Sequence, residues 1–184
     1  MKARILVWLV ALFCCHNVLF AQKEFVNASA RLSGHPRILL QKGEEKALKK
    51  VIMKDAVWKD IHQSLVDEAG EIVKLPLNER IKTGRRLLSV SRENLRRIFI
   101  LSYAYRMTGK NEFLKRAESE MLKAASFSDW NPSHFLDVGE MTMALAIGYD
   151  WLYPQLSVQT KKEIENAIVE KGLKPSFDER YNWF

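Results

Sequence analysis

Cysteine is almost absent from this chain. The 184 residues include 2 cysteines, Cys14 and Cys15, and both lie in an apolar segment near the N-terminus. The remainder of the chain therefore has no residue for a disulfide and none for a cysteine-bound metal site. We expect a packed apolar core to stabilise the fold, and the remaining length is sufficient for one.

The N-terminal segment has the pattern of a secretory signal peptide. The basic residues Lys2 and Arg4 precede an almost wholly apolar run over 5–20, and the small residue Ala21 follows it. We predict a signal peptide over 1–21 with cleavage after Ala21, and hence a periplasmic or secreted protein. One alternative is a membrane anchor, although the run is shorter than the about 20 residues of a spanning helix. Another is a lipid anchor at one of the cysteines.

Basic residues exceed acidic ones by a modest margin. The chain has 29 lysines and arginines against 22 aspartates and glutamates, a formal net charge of +7 at pH 7. Loss of Lys2 and Arg4 with the signal peptide would lower this charge to +5. The excess fits either a solvated lysine-rich surface or attraction for a polyanion. A secreted protein seldom meets nucleic acid, so we expect an acidic polysaccharide as the partner and no nucleic acid.

The alternation of apolar and polar residues that predicts β-strands is absent. A polar leader over 22–34 and a short extended stretch over 35–40 come first. Apolar residues then recur at helical spacing and predict helices over 42–54, 56–74, 91–107, 111–125, 134–153 and 158–171, with a long basic loop over 78–90. We predict N-caps at Ser91 and Asn111, a left-handed C-cap at Gly109, and Pro132 as a first helical residue. The predicted fold class is all-α.

Helices with a broad apolar face alternate with helices that have a narrow one. The helices over 91–107 and 134–153 are broad-faced, and those over 111–125 and 158–171 are narrow-faced. Such alternation is typical of stacked helical hairpins, in which broad-faced helices form an inner ring. We predict that 35–184 forms the N-terminal part of an α/α toroid, with an open solenoid as the alternative. The chain ends among aromatic residues, which indicates a fragment of a larger protein.

Chemically versatile side chains are concentrated where the most apolar helix begins. His134, Asp137 and Glu140 are spaced by three residues and lie close together on a helix. Trp130 and Asn131 immediately precede them. At the mouth of a ring of helices, the indole would offer a flat platform to a sugar and the polar groups would offer hydrogen bonds. We predict a substrate-binding set of five residues: Trp130, Asn131, His134, Asp137 and Glu140.

Structural roles are the alternative for these residues, because the helix dipole stabilises an acid such as Asp137 near a helix N-terminus. His134 and Glu140 lack the His-Glu-x-x-His spacing and a third ligand, so we expect no metal site. The chain also has no nucleophile elbow and no phosphate loop, and we expect no cofactor. Asp150 lies near a helix C-terminus, where the dipole disfavours an acid. It therefore needs a donor and is predicted to form a buried structural pair.

Four segments resemble a known family. They are His-Pro-Arg-Ile-Leu-Leu over 35–40, Tyr-Ala-Tyr-Arg-Met-Thr-Gly-Lys over 103–110, Trp-Asn-Pro-Ser-His-Phe-Leu-Asp over 130–137 and Gly-Tyr-Asp-Trp-Leu-Tyr over 148–153. In order and spacing they are similar to the N-terminal helical domain of heparinase II/III-like polysaccharide lyases and of relatives that act on alginate and similar uronates. The resemblance covers about 35–184.

This resemblance implies an incomplete α/α toroid, a following β-sandwich, and β-elimination at a uronic acid. It also implies catalytic residues downstream of Phe184, namely an asparagine or histidine with a glutamate, a tyrosine and a second histidine. Asn182 approaches the expected asparagine, but no catalytic residue is assigned, and 22–184 alone is expected not to cleave polysaccharide. Two other hypotheses stay open. One is a glycoside hydrolase that uses Asp137 and Glu140, and the other is a helical-repeat glycan-binding or scaffold protein.

Overall fold

The computed structural model describes residues 34–181. The predicted signal peptide, all of the predicted leader except Gly34, and Asn182 lie outside the described residues. Between 34 and 181 the structure is helical and contains one isolated bridge but no β-strand. The predicted all-α class is confirmed.

Six α-helices follow one another between Glu45 and Ala167. They are α1 (Glu45–Lys54), α2 (Ala56–Lys74), α3 (Leu88–Thr108), α4 (Asn111–Ala125), α5 (Phe135–Leu152) and α6 (Val158–Ala167). A π-helix over Ile168–Leu173 and two short 3-10 helices, Lys174–Phe177 and Glu179–Tyr181, complete the described chain. The number and order of the α-helices agree with the sequence pattern.

Several predicted helix ends are wrong. Helix α3 begins at Leu88 rather than at Ser91, because Leu87 is fully buried and its N–H donates to the distant carboxylate of Asp137 over 2.6 Å. Ser91 lies inside α3, where its Oγ has no hydrogen-bond partner among the described residues. Asn111 is the first residue of α4 and not its cap.

Helix α5 begins at Phe135, one residue after the start of the predicted range 134–153 and three after Pro132, the predicted first helical residue. Asn131 has a φ of 62°, and the N–H of His134 donates to its carbonyl over 2.9 Å, so Pro132 lies in a tight turn and not in the helix. Gly109 was predicted correctly, with a left-handed φ of 74° at the end of α3. Ser157 caps α6 and accepts the N–H of Thr160 over 3.0 Å.

The helix predicted over 158–171 is an α-helix only as far as Ala167 and continues past its predicted end as the π-helix over Ile168–Leu173. Gly172 lies so close to α5 that a Cβ would be 2.5 Å from Thr142 Oγ1 and 3.2 Å from a ring carbon of Trp130. Lys171 donates to the carbonyls of Ala125 and Phe127. The π-helix thus packs against α5 and also bonds to the end of α4.

Helices α3 and α5 share the most extensive contact of the fold. Ten of the 18 residues of α5 are buried, which is more than half of the helix. Helices α2 and α4 pack against α3, and α6 packs against α4. This arrangement of hairpins in two layers fits the predicted broad-faced and narrow-faced helices, and closure into a toroid stays a prediction.

A buried cluster of charges ties α2, α3 and α4 together. Glu120 in α4 is fully buried and accepts from Arg97 over 3.0 Å and from Arg116 over 2.6 Å. The same arginines donate to the carbonyls of Val73 and Pro76 where α2 ends. Arg97 also pairs over 2.7 Å with Glu93, which lies four residues earlier in α3. Each charge is compensated, which a buried ion pair requires.

Across residues 34–181, no helix combines the length and the apolar character that crossing a bilayer requires.

Candidate functional site

Three of the five predicted site residues meet at the N-terminal end of α5. Asp137 is fully buried, and its Oδ2 accepts from the N–H of Leu87 over 2.6 Å and from Asn131 Nδ2 over 2.7 Å. Its Oδ1 lies 2.7 Å from Nδ1 of His134. Asn131 Nδ2 also donates to the carbonyl of Arg85 over 2.9 Å. Both carboxylate oxygens of Asp137 are therefore engaged with protein groups, and the residue positions the chain around it.

Trp130 does not form a sugar platform in this structure. Its side chain is 0% exposed, and its indole N–H donates to the carbonyl of Ala124 over 3.0 Å. The prediction of an exposed ring is wrong because the loop after α4 turns the indole into the core against Gly172. An aromatic residue before a helix has the same sequence pattern whether it faces the core or a cleft.

His134 and Glu140 are the two predicted residues at the surface. Both are partly exposed. Glu140 accepts from Nε of Arg92 over 3.0 Å, and Arg92 is largely exposed. These two side chains could meet a ligand without rearrangement of the core.

The loop over 75–87 places lysine and arginine side chains near the N-terminal end of α5. Thr83 and Arg86 exchange two backbone hydrogen bonds of 2.9 and 3.2 Å and form a small turn. We call residues 80–86 the basic hairpin. Lys82, Arg85 and Arg86 are exposed there, and their side chains make no hydrogen bond or ion pair with any residue in 34–181. Their guanidinium and ammonium groups are available to an anion.

The basic hairpin is anchored on both sides. Arg80 donates to the carboxylate of Asp129 over 2.6 Å and to its carbonyl over 3.0 Å. Glu79 pairs with Lys123 over 2.8 Å. Burial alone would raise the pKa of Asp129, but the hydrogen bond from Arg80 holds it below its ordinary value of 3.8. Asp129 therefore stays charged at neutral pH and keeps Arg80 in place.

Sequence reasoning described 78–90 as a basic loop but named no residue within it. The available signal was Gly84, a turn former between Lys82 and the arginine pair. Such a turn places flanking side chains on a short and ordered surface rather than on a long mobile one.

A second polar network lies at the opposite end of α5. Asp150 is almost fully buried. Its carboxylate accepts the backbone N–H groups of Arg37 and Ile38 over 2.9 Å each, and Nδ1 of His35 lies 2.5 Å from Oδ1. The His35 ring stacks on Tyr153 with centroids 4.1 Å apart. The expectation of a buried Asp150 with donor partners is confirmed.

Two further side chains hold the same N-terminal segment. The indole N–H of Trp151 donates to the carbonyl of Ile38 over 2.8 Å. Arg106 of α3 donates to the carbonyls of Leu40 and Gln41. We call this set of contacts the His35 clamp.

Three of the four segments that carry the family resemblance contribute residues to the His35 clamp. The segments over 35–40, 103–110 and 148–153 contribute His35, Arg106 and Asp150, and they meet in this one network. The fourth, over 130–137, contributes Asn131 and Asp137 to the network around Leu87. The resembling residues therefore hold backbone segments together.

Two tyrosines of the described helices, Tyr103 and Tyr149, keep their protons at neutral pH. Burial raises the pKa of Tyr103, whose hydroxyl lies 2.9 Å from Nδ1 of His62. Burial and the neighbouring Glu165 raise the pKa of Tyr149 well above its usual range. Between 34 and 181, no group of three or more histidine, cysteine, aspartate or glutamate side chains is arranged to hold a metal ion.

Comparison of the chain with protein-family models and with curated proteins finds no match. The similarity to heparinase II/III-like lyases therefore rests on the four segments alone.

Proposed function

We propose that this protein binds an acidic polysaccharide and serves in its cleavage by β-elimination. The observation that carries the proposal is the basic hairpin, whose Lys82, Arg85 and Arg86 are exposed and unpaired within 34–181. Arginine binds carboxylate and sulfate groups through two parallel hydrogen bonds, which favours uronates and sulfated sugars as ligands. His134 lies at the same end of α5 and adds a hydrogen-bonding group.

β-Elimination at a uronic acid needs three contributions. The substrate carboxylate must be neutralised, a base must remove the C5 proton, and an acid must protonate the leaving oxygen. We assign only carboxylate binding to the described residues, through Arg85 and Arg86. Neither the base nor the acid is assigned to a residue between 34 and 181, and the lyase reaction itself is proposed from the family resemblance.

Glycoside hydrolysis is less well supported. It requires two carboxyl groups on either side of the scissile bond. Asp137 is fully buried with both oxygens engaged, and Glu140 pairs with Arg92. A glycan-binding protein without catalysis is the second candidate, because the basic hairpin supports it equally.

The binding step is tested with the triple variant Lys82→Gln, Arg85→Gln, Arg86→Gln and heparan sulfate or alginate as ligand. Exposed ion pairs contribute about 0.2–1 kcal/mol each, so we expect affinity to fall roughly tenfold in calorimetry. The control variant replaces three exposed lysines elsewhere, Lys110, Lys115 and Lys162, with glutamine. An equal loss in the control would contradict a specific site.

The cleavage step is tested separately by incubating the full-length protein, rather than residues 22–184 alone, with heparan sulfate, alginate and other uronates. A rise in ultraviolet absorbance from an unsaturated product supports elimination. New reducing ends without that absorbance support hydrolysis. Neither signal, with binding intact, supports the glycan-binding candidate.

A further inference from the structure

Helix α1 carries lysines that have no role in the fold. Lys46, Lys49, Lys50 and Lys54 are exposed, and their side chains make no ion pair with any residue in 34–181. At about 100° per residue, Lys46, Lys49 and Lys50 fall within a sector of about 100°, and Lys46 and Lys50 lie more than 100° around the helix from its buried residue Ile52. Lys42 and Lys59 extend this positive surface at either end.

Nearby acids do not neutralise these lysines. Glu45 is paired with Arg106 of α3 over 2.5 Å. Asp55 caps α2 and accepts the N–H groups of Val57 and Trp58. None of these carboxylates forms an ion pair with a lysine of α1 among the described residues.

Large apolar side chains are exposed where α1 turns into α2. We call Met53, Val57, Trp58 and Ile61 the apolar corner, and their exposed fractions are 75%, 66%, 48% and 46%. Met53 lies in the same sector of α1 as the lysines. Trp58 and Ile61 continue the inward-facing stripe of α2 that ends in the buried Ala69 and Ile72. Four large apolar side chains exposed near one turn favour an interaction site there.

Together, the α1 lysines and the apolar corner favour an anionic lipid surface as the partner. Lysines attract an anionic surface, and exposed aliphatic chains with a tryptophan favour the interface between lipid headgroups and acyl chains. An acidic polysaccharide would satisfy the lysines but would leave Met53, Val57 and Ile61 in water. A neutral protein surface would satisfy the apolar corner but not the lysines.

We propose that α1 and the apolar corner dock this protein on an anionic lipid surface. Met53, Val57 and Trp58 enter the interfacial layer, and Lys46, Lys49, Lys50 and Lys54 pair with lipid phosphates. The docking surface is separate from the basic hairpin. It contacts the C-terminal end of α3 through Arg106, whereas the hairpin precedes the N-terminal end, and α3 is about 30 Å long.

Lysine footprinting tests this assignment on the whole protein. An amine-reactive acylating reagent is applied with and without vesicles of phosphatidylcholine containing phosphatidylglycerol, and each lysine is read by peptide mass spectrometry. We expect several-fold protection of Lys46, Lys49, Lys50 and Lys54 by these vesicles and none by pure phosphatidylcholine. The exposed Lys115 and Lys162 serve as internal controls. Because each lysine is read individually, lipid contact elsewhere in the chain does not mimic the result.

Two variants separate the contribution of the apolar corner to lipid binding from that of the lysines. Met53→Ser with Val57→Ser removes the two most exposed members of the apolar corner, and with exposed fractions of 75% and 66% these side chains contribute little to the fold. We expect it to reduce the protection of Lys49 several-fold, with an unchanged circular dichroism melt. Replacement of one lysine, Lys50→Gln, should raise the lipid concentration for half-protection about fivefold.

The same footprinting with heparan sulfate in place of vesicles tests the alternative ligand. It should protect Lys82 of the basic hairpin and leave the α1 lysines reactive. Protection of the α1 lysines by heparan sulfate but not by vesicles would overturn the proposal and make α1 a second glycan site. Equal labelling with and without anionic vesicles would overturn it as well.

Discussion

At Gly148 the absence of a side chain lets α5 approach both of its neighbours. A Cβ at this position would be 2.5 Å from the Cγ2 of Ile98 in α3 and 2.5 Å from the sulfur of Met121 in α4. Ile98 and Met121 are fully buried, so neither can move away without disturbing the core. Gly139, four residues into the same helix, is exposed and has nothing within 4 Å of such a Cβ.

Gly148→Ala is therefore expected to lower the free energy of unfolding by about 1–3 kcal/mol through overpacking. Gly139→Ala should raise it by about 0.5–1 kcal/mol, because alanine favours the helix. Urea denaturation of both variants measures the difference. Equal and small effects at the two positions would contradict the close approach of α5.

Single residues were predictable from sequence where a general electrostatic rule applied. Asp150 near a helix end needed donors, and it has them. The identity of those donors was not predictable, since His35, Arg37 and Ile38 lie 112–115 residues away. Trp130 and Asp137 have the same local pattern in a cleft or in a core, and only their distant neighbours decide between the two.

At the scale of elements, the His35 clamp joins a segment without regular structure to α3 and α5. Asp150 accepts two backbone N–H groups and lies within hydrogen-bond distance of an imidazole, in an almost fully buried setting. Hydrogen bonds to a charged acceptor are stronger than those to a neutral one, at about 1.5–3 kcal/mol each. The neutral amide of an asparagine retains one acceptor oxygen.

Asp150→Asn should lower the free energy of unfolding by about 2–3 kcal/mol in chemical denaturation. It should also speed amide hydrogen exchange at Arg37 and Ile38. Asp67→Asn is the matched control, because Asp67 is exposed and its change is expected to stay within about 0.5 kcal/mol. A loss of stability without faster exchange over 35–41 would place the effect outside the clamp.

Helix existence and order followed from apolar periodicity, since each helix buries a face of its own. Helix ends followed less well. Leu87, not Ser91, sets the start of α3, because its N–H finds the carboxylate of Asp137, 50 residues away. The basic hairpin was not predictable from local sequence either, because the residues that anchor it, Asp129 and Asn131, follow α4 and lie 46–49 residues later in the chain.

At the scale of the whole molecule, ion pairs make stability depend on pH. The hydrogen bond from Arg96 lowers the pKa of Glu93 below its ordinary value of 4.5, against the opposing effect of burial and with help from Arg97. The folded state thus binds fewer protons at Glu93 than the unfolded state does as the pH falls. Its contribution to stability is present above about pH 4.5 and is lost as the pH falls through the lowered pKa.

The urea midpoint should therefore be nearly constant near neutral pH and fall below about pH 4.5. Glu93→Gln should be less stable than the native protein at pH 7, with the two converging in acid. Glu112→Gln removes an exposed acid that makes no ion pair with the described residues and should leave the profile unchanged. Parallel profiles for the native protein and Glu93→Gln would contradict the role of the Glu93 pairs.

The span of the His35 clamp has a consequence for how the protein is made. His35 and Asp150 are 115 residues apart. At a synthesis rate of about 5–20 residues per second, the ribosome adds Asp150 roughly 6–23 seconds after His35. Throughout that interval the residues from His35 to Gln41 have none of their final partners on α5. The first segment of the described fold is thus among the last to be fixed, and a nascent chain stalled before α5 would expose it to proteases.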